Sequence, residues 1–191
     1  MAINFPSSPT NGQTHTDGSI TWTYSSSKTA WEVTASGGAG VGSVVAVSNF
    51  QTGAMATGTT QMPSDDTIPQ ITEGDEYMTL AHTALSTSNK LKIEIVVVCS
   101  SSAANSRMGV ALFRDTTADA LGAVSNRVVT ADFLLTTSFT HYMTAPSTSS
   151  VTYRVRVGSN VAGTTTFNGV TSARIFGDVM ASSITITEIK G

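Results

Sequence analysis

The sequence predicts an all-β fold, and three observations carry that expectation. Charged residues make up 12 % of the 191-residue chain against 40 % apolar residues, where a soluble domain has roughly 25 % charged. Serine and threonine fill the difference: a branched Cβ suits a pleated strand, and serine, glycine and asparagine supply turns. Runs of apolar–polar alternation recur about every ten residues between turn signals, the spacing of a β-sandwich. No window has a convincing helical period, and only "DTTADALGAV" has room for one short turn of helix.

Taken in order, residues 1–34 read as a small N-terminal module. Pro6 and Pro9 fix φ and remove backbone donors, which pushes Phe5 and Ser8 towards extended conformations. Asn11-Gly12 is a turn signal. Two short strand candidates follow, Ile20–Tyr24 and Ala30–Thr34, around the turn-rich "TYSSSKTA". Trp22 and Trp31 flank that turn and can make a miniature core, but a lone hairpin is marginal and needs a partner surface. Residues 35–44 contain "ASGGAGVGS" and read as a flexible linker. The glycines do not have the GxGxxG spacing, no Lys-Ser/Thr follows, and no helix pattern comes after.

Residues 45–191 are strands and turns. In "NKLKIEIVVVC", Leu91, Ile93, Ile95 and Val97 face one way and Lys90, Lys92 and Glu94 the other. Val96 and Val98 make the outer side apolar as well, so that side should be covered by a loop or a neighbouring chain; both are assigned to a subunit interface. "VTYRVRV" repeats the pattern, with Val151, Tyr153, Val155 and Val157 inward. "RMGVALFRD", "RVVTADFLLT", "GTTTFNG" and "SSITITEIKG" are four further strand candidates, the last expected inside a sheet because a frayed end would expose its ladder.

Charge and composition exclude several classes. A net charge of -3 argues against a nucleic-acid partner. No apolar run approaches the roughly 18 residues of a membrane span, and the N-terminus lacks the basic-then-apolar pattern of a secretory leader. Cys99 is the single cysteine, so an intrachain disulfide is impossible and oligomerisation is the expected substitute. His15, His82 and His141 lack metal-ligand spacing, and the acidic set Asp65, Asp66, Glu73, Asp75 and Glu76 lacks that of an EF-hand loop, so no metal and no cofactor is expected. That set reads as a solvated loop or as partners for Arg or Lys of a neighbour. No GxSxG elbow marks a nucleophile, and Cys99 at a strand end reads as a small buried hydrophobe. Tyr77, Asn105, Arg107, Tyr142, Asn160 and Asn168 are candidate receptor-binding residues, since loop aromatics and amides are what a sugar needs. The competing reading packs the tyrosines between subunits and uses the asparagines in turns.

Several ordered segments carry a family resemblance: "DDTIPQITEGDEYMTL", "NKLKIEIVVV", "ALFRDTTADALGA", "TYRVRVGSNVAGTTTFNG", "ARIFG" and "SSITITEIKG". Over about 65–191 the chain resembles a domain at the C-terminal ends of tailed-bacteriophage fibre and virion-surface proteins. The start, built as Phe-Pro…Pro-x-Asn-Gly-Gln…Trp…Trp, is similar to a short module of phage structural proteins. The resemblance implies a jelly-roll-like sandwich that forms a homotrimer, similar in plan to tumour-necrosis-factor-like heads. It also implies a non-enzymatic protein on the virion surface, either a tail-fibre tip or a head fibre or capsid decoration. Phe5, Pro6, Pro9, Trp22 and Trp31 would dock it to other virion proteins, and its loops would face a host-surface glycan. The alternatives are a polysaccharide-degrading tailspike-type hydrolase and a cellular lectin-like module.

Overall fold

The computed structural model describes residues 3–36 and 40–191, in two compact units, Met1–Ser43 and Val44–Gly191. The linker expected over 35–44 is narrower than the glycine content implied: Ala35 and Ser36 continue a strand and Val44 begins one, while Gly37, Gly38 and Ala39 lie outside the described residues.

In the first unit, β1 (Thr14–Asp17), β2 (Ile20–Ser25) and β3 (Ala30–Ser36) form an antiparallel sheet. The expected hairpin is therefore three-stranded; β1 has too few apolar residues to announce itself. The sharp turn falls at Asn11-Gly12, where Gly12 takes φ 80° and its N–H donates to the Tyr24 carbonyl (2.9 Å).

The second unit holds β4 (Val44–Thr52), β5 (Ala56–Gly58), β6 (Asp75–His82), β7 (Lys90–Ser101), β8 (Ser106–Arg114), β9 (Gly122–Val128), β10 (Leu135–Thr144), β11 (Val151–Ser159), β12 (Thr165–Phe167), β13 (Gly169–Val170), β14 (Ala173–Arg174) and β15 (Ser182–Ile189). β7 is the axis of one sheet. Its residues pair with β10 on one edge and with β15 on the other. Cys99 pairs with both Leu135 of β10 and Phe167 of β12, so β12 continues the β15 row, as β5 continues the β4 row. The sheet thus runs β4/β5, β15/β12, β7, β10, and the second runs β6, β11, β8, β9. In chain order these are rows one, eight, three, six and rows two, seven, four, five. That is the double Greek key of a jelly roll.

Between the sheets the alternation read from "NKLKIEIVVVC" and "VTYRVRV" holds: Leu91, Ile93, Val97, Tyr153, Val155 and Val157 are all 0 % exposed. Side-chain hydrogen bonds stitch the two edges where the sheets meet. Asn126 Nδ2 donates to Thr137 Oγ1 (2.7 Å) between β9 and β10, and Ser48 Oγ lies 3.0 Å from His82 Nδ1 between β4 and β6. Two local expectations fail. "RVVTADFLLT" is not one strand but the end of β9, a turn with Asp132 at φ 60°, and the start of β10. "DTTADALGAV" holds turns without helix.

Candidate functional site

The N-terminal anchors pack on one another. Phe5 stacks on Trp31 (4.9 Å, 14°) and meets Trp22 edge-on (5.4 Å, 85°), with His15 and Tyr24 at the margins. Trp22 is 8 % exposed, and Pro6 and Pro9 are half-buried in the arm that brings Phe5 back. The miniature core expected of Trp22 and Trp31 is present, with Phe5 added to it: a unit this small reaches a core only by burying its largest rings.

Val98 is likewise covered from within. It is 7 % exposed, and residues around the β12 end press against it: Asn168 N donates to the Val98 carbonyl (2.8 Å), Ser182 Oγ accepts from Val98 N (2.9 Å), and on the outer side Ser100 Oγ donates to the Gly169 carbonyl (3.0 Å). The apolar outer face at Val98 thus has an intrachain cover and gives no reason for a neighbour. Val96 stays half-exposed between Ser138 and Ser183, its partners across the ladder.

Of the six receptor-binding candidates, two lie inside. Asn168 is 0 % exposed; its amide donates to the Thr52 and Ala54 carbonyls (2.7 and 3.2 Å) and its carbonyl accepts from Ser182 Oγ (2.7 Å). Tyr77 stacks on Phe167 (4.8 Å, 12°) with its hydroxyl buried, and burial pushes that phenol well above its ordinary range. Both were read as loop groups because polar residues beside a strand look exposed in one dimension. Tyr142 is 62 % exposed on the outer face of the β7 sheet, opposite Lys92.

Asn105, Arg107 and Asn160 meet at one end of the second sheet. Asn160 Oδ1 accepts from Arg107 N (2.7 Å) and Asn160 N donates to the Arg107 carbonyl (3.0 Å). Asn105 takes a left-handed turn at φ 52° just before β8. Beside them a groove of about 220 Å³ opens between β8, β9 and residues 62–69, lined by Pro63, Ser64, Asp65, Thr67, Arg107 and Ser125 among others. A second hollow of about 450 Å³ adjoins it and shares Asp65, Thr67, Pro69 and Ala123.

Segment 59–74 makes this groove by lying across the outer face of the second sheet. Met62 N donates to the Ser159 carbonyl (3.0 Å), and Arg156 donates to the carbonyls of Glu73 and Gly74 (3.0 and 2.8 Å). Met62 packs with Ala111 and Phe113 as a second small core. Gly109 and Gly158 are what permit the approach: a Cβ at Gly109 would lie 2.6 Å from Met62 Sδ, and one at Gly158 would lie 2.8 Å from the Thr60 carbonyl. Sequence reading missed Met62, Asp65, Thr67 and Ser125 as wall residues; the only local signal was Pro63 and Pro69 bracketing a short polar turn.

Four of the five acidic residues are engaged within the chain, Glu73 Oε2 accepting from Gln70 N (3.0 Å), while Asp66 has no side-chain partner among the described residues. Asp65 Oδ1 accepts from Thr67 N and Oγ1 (3.0 and 2.6 Å), and that hydroxyl holds its carboxyl below the usual range. Asp75 accepts from Thr60 N and Oγ1 (2.9 and 2.7 Å), and Glu76 takes both oxygens to Arg154 Nη1 (3.1 Å each). No group of three metal-ligating side chains occurs among the described residues. Burial pushes the Cys99 thiol up to about 12.

A polar line runs into the sandwich beside β4. Ser48 Oγ meets His82 Nδ1 at 3.0 Å, and His82 Nε2 lies 3.4 Å from Glu188 Oε2 without hydrogen-bond geometry. Glu188 Oε1 accepts from Leu85 N (2.8 Å) and Asn89 Nδ2 (2.5 Å). Ser48 pairs across the ladder with inward-facing Ile186 and so shares its side of the sheet, and neither hollow reaches the line.

No protein-family model and no curated protein sequence matches the chain. Among solved structures it is similar to dimeric latent PorU from Porphyromonas gingivalis (11 % identity, TM-score 0.35, covering 91 % of this chain and 18 % of that one). It is also similar to the infectious bursal disease virus VP2 subviral particle (9 % identity, TM-score 0.34, covering 98 % and 46 %). The chain spans less than half the length of either, and neither lends its role to it.

Proposed function

We propose that the chain is a bacteriophage virion-surface protein. Unit Val44–Gly191 is displayed outward as a homotrimer for adhesion to a host-surface glycan, and unit Met1–Ser43 attaches it to other virion proteins. The observation that supports this is the separation of the chain into a complete jelly roll and a second, self-contained small unit, each with its own core. The trimer surface in this reading is the outer face of the β7 sheet around Val96 and Tyr142. Around Val96 its neighbours Ser138 and Ser183 are small and uncharged and let another subunit approach closely, while nearer Tyr142 the face carries the Lys92–Glu94 pair (2.8 Å). Attachment falls to the outward side chains of the first unit, such as exposed Val33, now that the rings pack together.

Sedimentation of the full chain at micromolar concentration should give a trimer, and Val96→Lys should give a folded monomer. A monomeric native chain would remove the trimer. Deleting residues 1–43 should leave a folded second unit that no longer joins particles; normal incorporation would reverse the division of labour.

The hydrolase alternative has one observation in its favour, the Ser48–His82–Glu188 line, since acyl transfer needs a hydroxyl, an imidazole and a carboxylate in series. Its inward direction, away from both hollows, favours a structural role. Ester hydrolysis by the purified chain that Ser48→Ala removes would revive the alternative.

A further inference from the structure

We propose that the groove between residues 62–69 and strands β8 and β9 binds an acidic saccharide, whose carboxylate is held by Arg107 and Arg127. The ladder places these two arginines directly opposite each other, on the outer face of the second sheet. Like charges at opposed positions destabilise a sheet unless an anion lies between them. Elsewhere in this unit Arg154, Arg156 and Arg174 have a carboxylate at salt-bridge distance, whereas Arg107, Arg127 and the separate Arg114 have none among the described residues; Arg107 and Arg127 alone of these three face each other. A guanidinium presents a planar fork that matches a carboxylate bidentately.

The groove beside Arg107 supplies the rest of a sugar site. Arg107 is held in place by the reciprocal pair of bonds between its backbone and Asn160. Met62, seated over Gly109, closes part of the floor; Pro63, Pro69 and Ala123 offer apolar wall; Ser64, Thr67 and Ser125 offer hydroxyls. Asp65 is the carboxylate in this lining, and its Oδ1 is engaged by Thr67. The first hollow, about 220 Å³, is smaller than a typical ligand site, and with the adjoining 450 Å³ it reaches the range of about 300–1,000 Å³. The adjoining hollow carries Asp65, Asp66 and Ile68 and no cation. A ligand charged on every unit would be repelled there, so the fit is one carboxylate on an otherwise neutral, hydroxyl-bearing chain of a few sugars.

The proposal rests on the adhesion reading only for the biological origin of the sugar. Failed binding leaves particle incorporation untouched, and failed incorporation leaves binding untouched. The full chain is titrated calorimetrically with sialyllactose, with trigalacturonate, and with neutral lactose, in low-salt buffer. Sialyllactose, with its single carboxylate, should bind in about the millimolar range, and lactose and the fully charged trigalacturonate each at least about ten-fold more weakly. Arg107→Gln should weaken sialyllactose by about ten-fold or more and Arg127→Gln by several-fold, with thermal midpoints not lowered. Four results overturn the proposal: sialyllactose does not bind; lactose or trigalacturonate binds equally; sodium phosphate displaces the sugar with equal affinity, which marks a bare anion site; or Tyr142→Ser, and not Arg107→Gln, removes binding.

Discussion

Glu188 and the Arg107–Arg127 pair carry charge in the same β-unit under opposite conditions. Glu188 is 0 % exposed and is surrounded by Leu85 N, Asn89 and His82. Arg107 and Arg127 are exposed, side by side, and without a carboxylate among the described residues. A buried carboxylate loses its hydration and must recover it from the protein: Glu188 Oε1 recovers two donors, while Oε2 has only the His82 ring at 3.4 Å. Exposed guanidinia keep their water, and leaving them unpaired costs little. The interior cluster is therefore where stability is concentrated, and the surface pair is where charge remains free to meet something else.

That contrast is broken most severely at Glu188. Glu188→Ala strands Asn89, the Leu85 N–H and His82 in the interior and should cost about 3–5 kcal/mol, read as a large fall in the urea midpoint. A loss under about 1 kcal/mol would show that water reaches the cluster and that the contrast is false. An intermediate case is Asn168→Ala, at the seam between segment 168–181 and the β7 sheet. It leaves the Thr52 and Ala54 carbonyls and the Ser182 hydroxyl short of a partner, and should cost about 1–3 kcal/mol. Its second readout is proteolysis within 168–181, which should quicken as the cover over Val98 loosens. The smallest effect belongs to the surface: Arg107→Gln and Arg127→Gln should each change stability by no more than about 0.5 kcal/mol, and relief of like-charge repulsion makes a small gain the expected sign. A loss above about 1 kcal/mol in a thermal melt would mean that the pair is structural.

Both long strands of clear alternation, in "NKLKIEIVVVC" and "VTYRVRV", are where they were expected, because a period of two with β-branched residues is written locally in the chain. β10 was only touched by "RVVTADFLLT", since in Leu135–Thr144 threonine and serine alternate with mixed polar and apolar side chains and the period is weak. Arg107 and Asn160 were named as candidates, but nothing local says that they bond to each other across 53 positions.

Composition and alternation alone determined the all-β class and the inward faces of β7 and β11, because each depends on a residue and its near neighbours. Tertiary structure decided what each outward side chain meets. It turned Phe5 onto Trp31, brought Asn168 and Gly169 against Val98 and Ser100, buried Asn168 and the Tyr77 hydroxyl, and crossed the glycines at 109 and 158 with segment 59–74 to open a groove beside Arg107. These contacts join positions far apart in the chain, and a period of two fixes which side of a sheet a residue takes without saying what will cover that side.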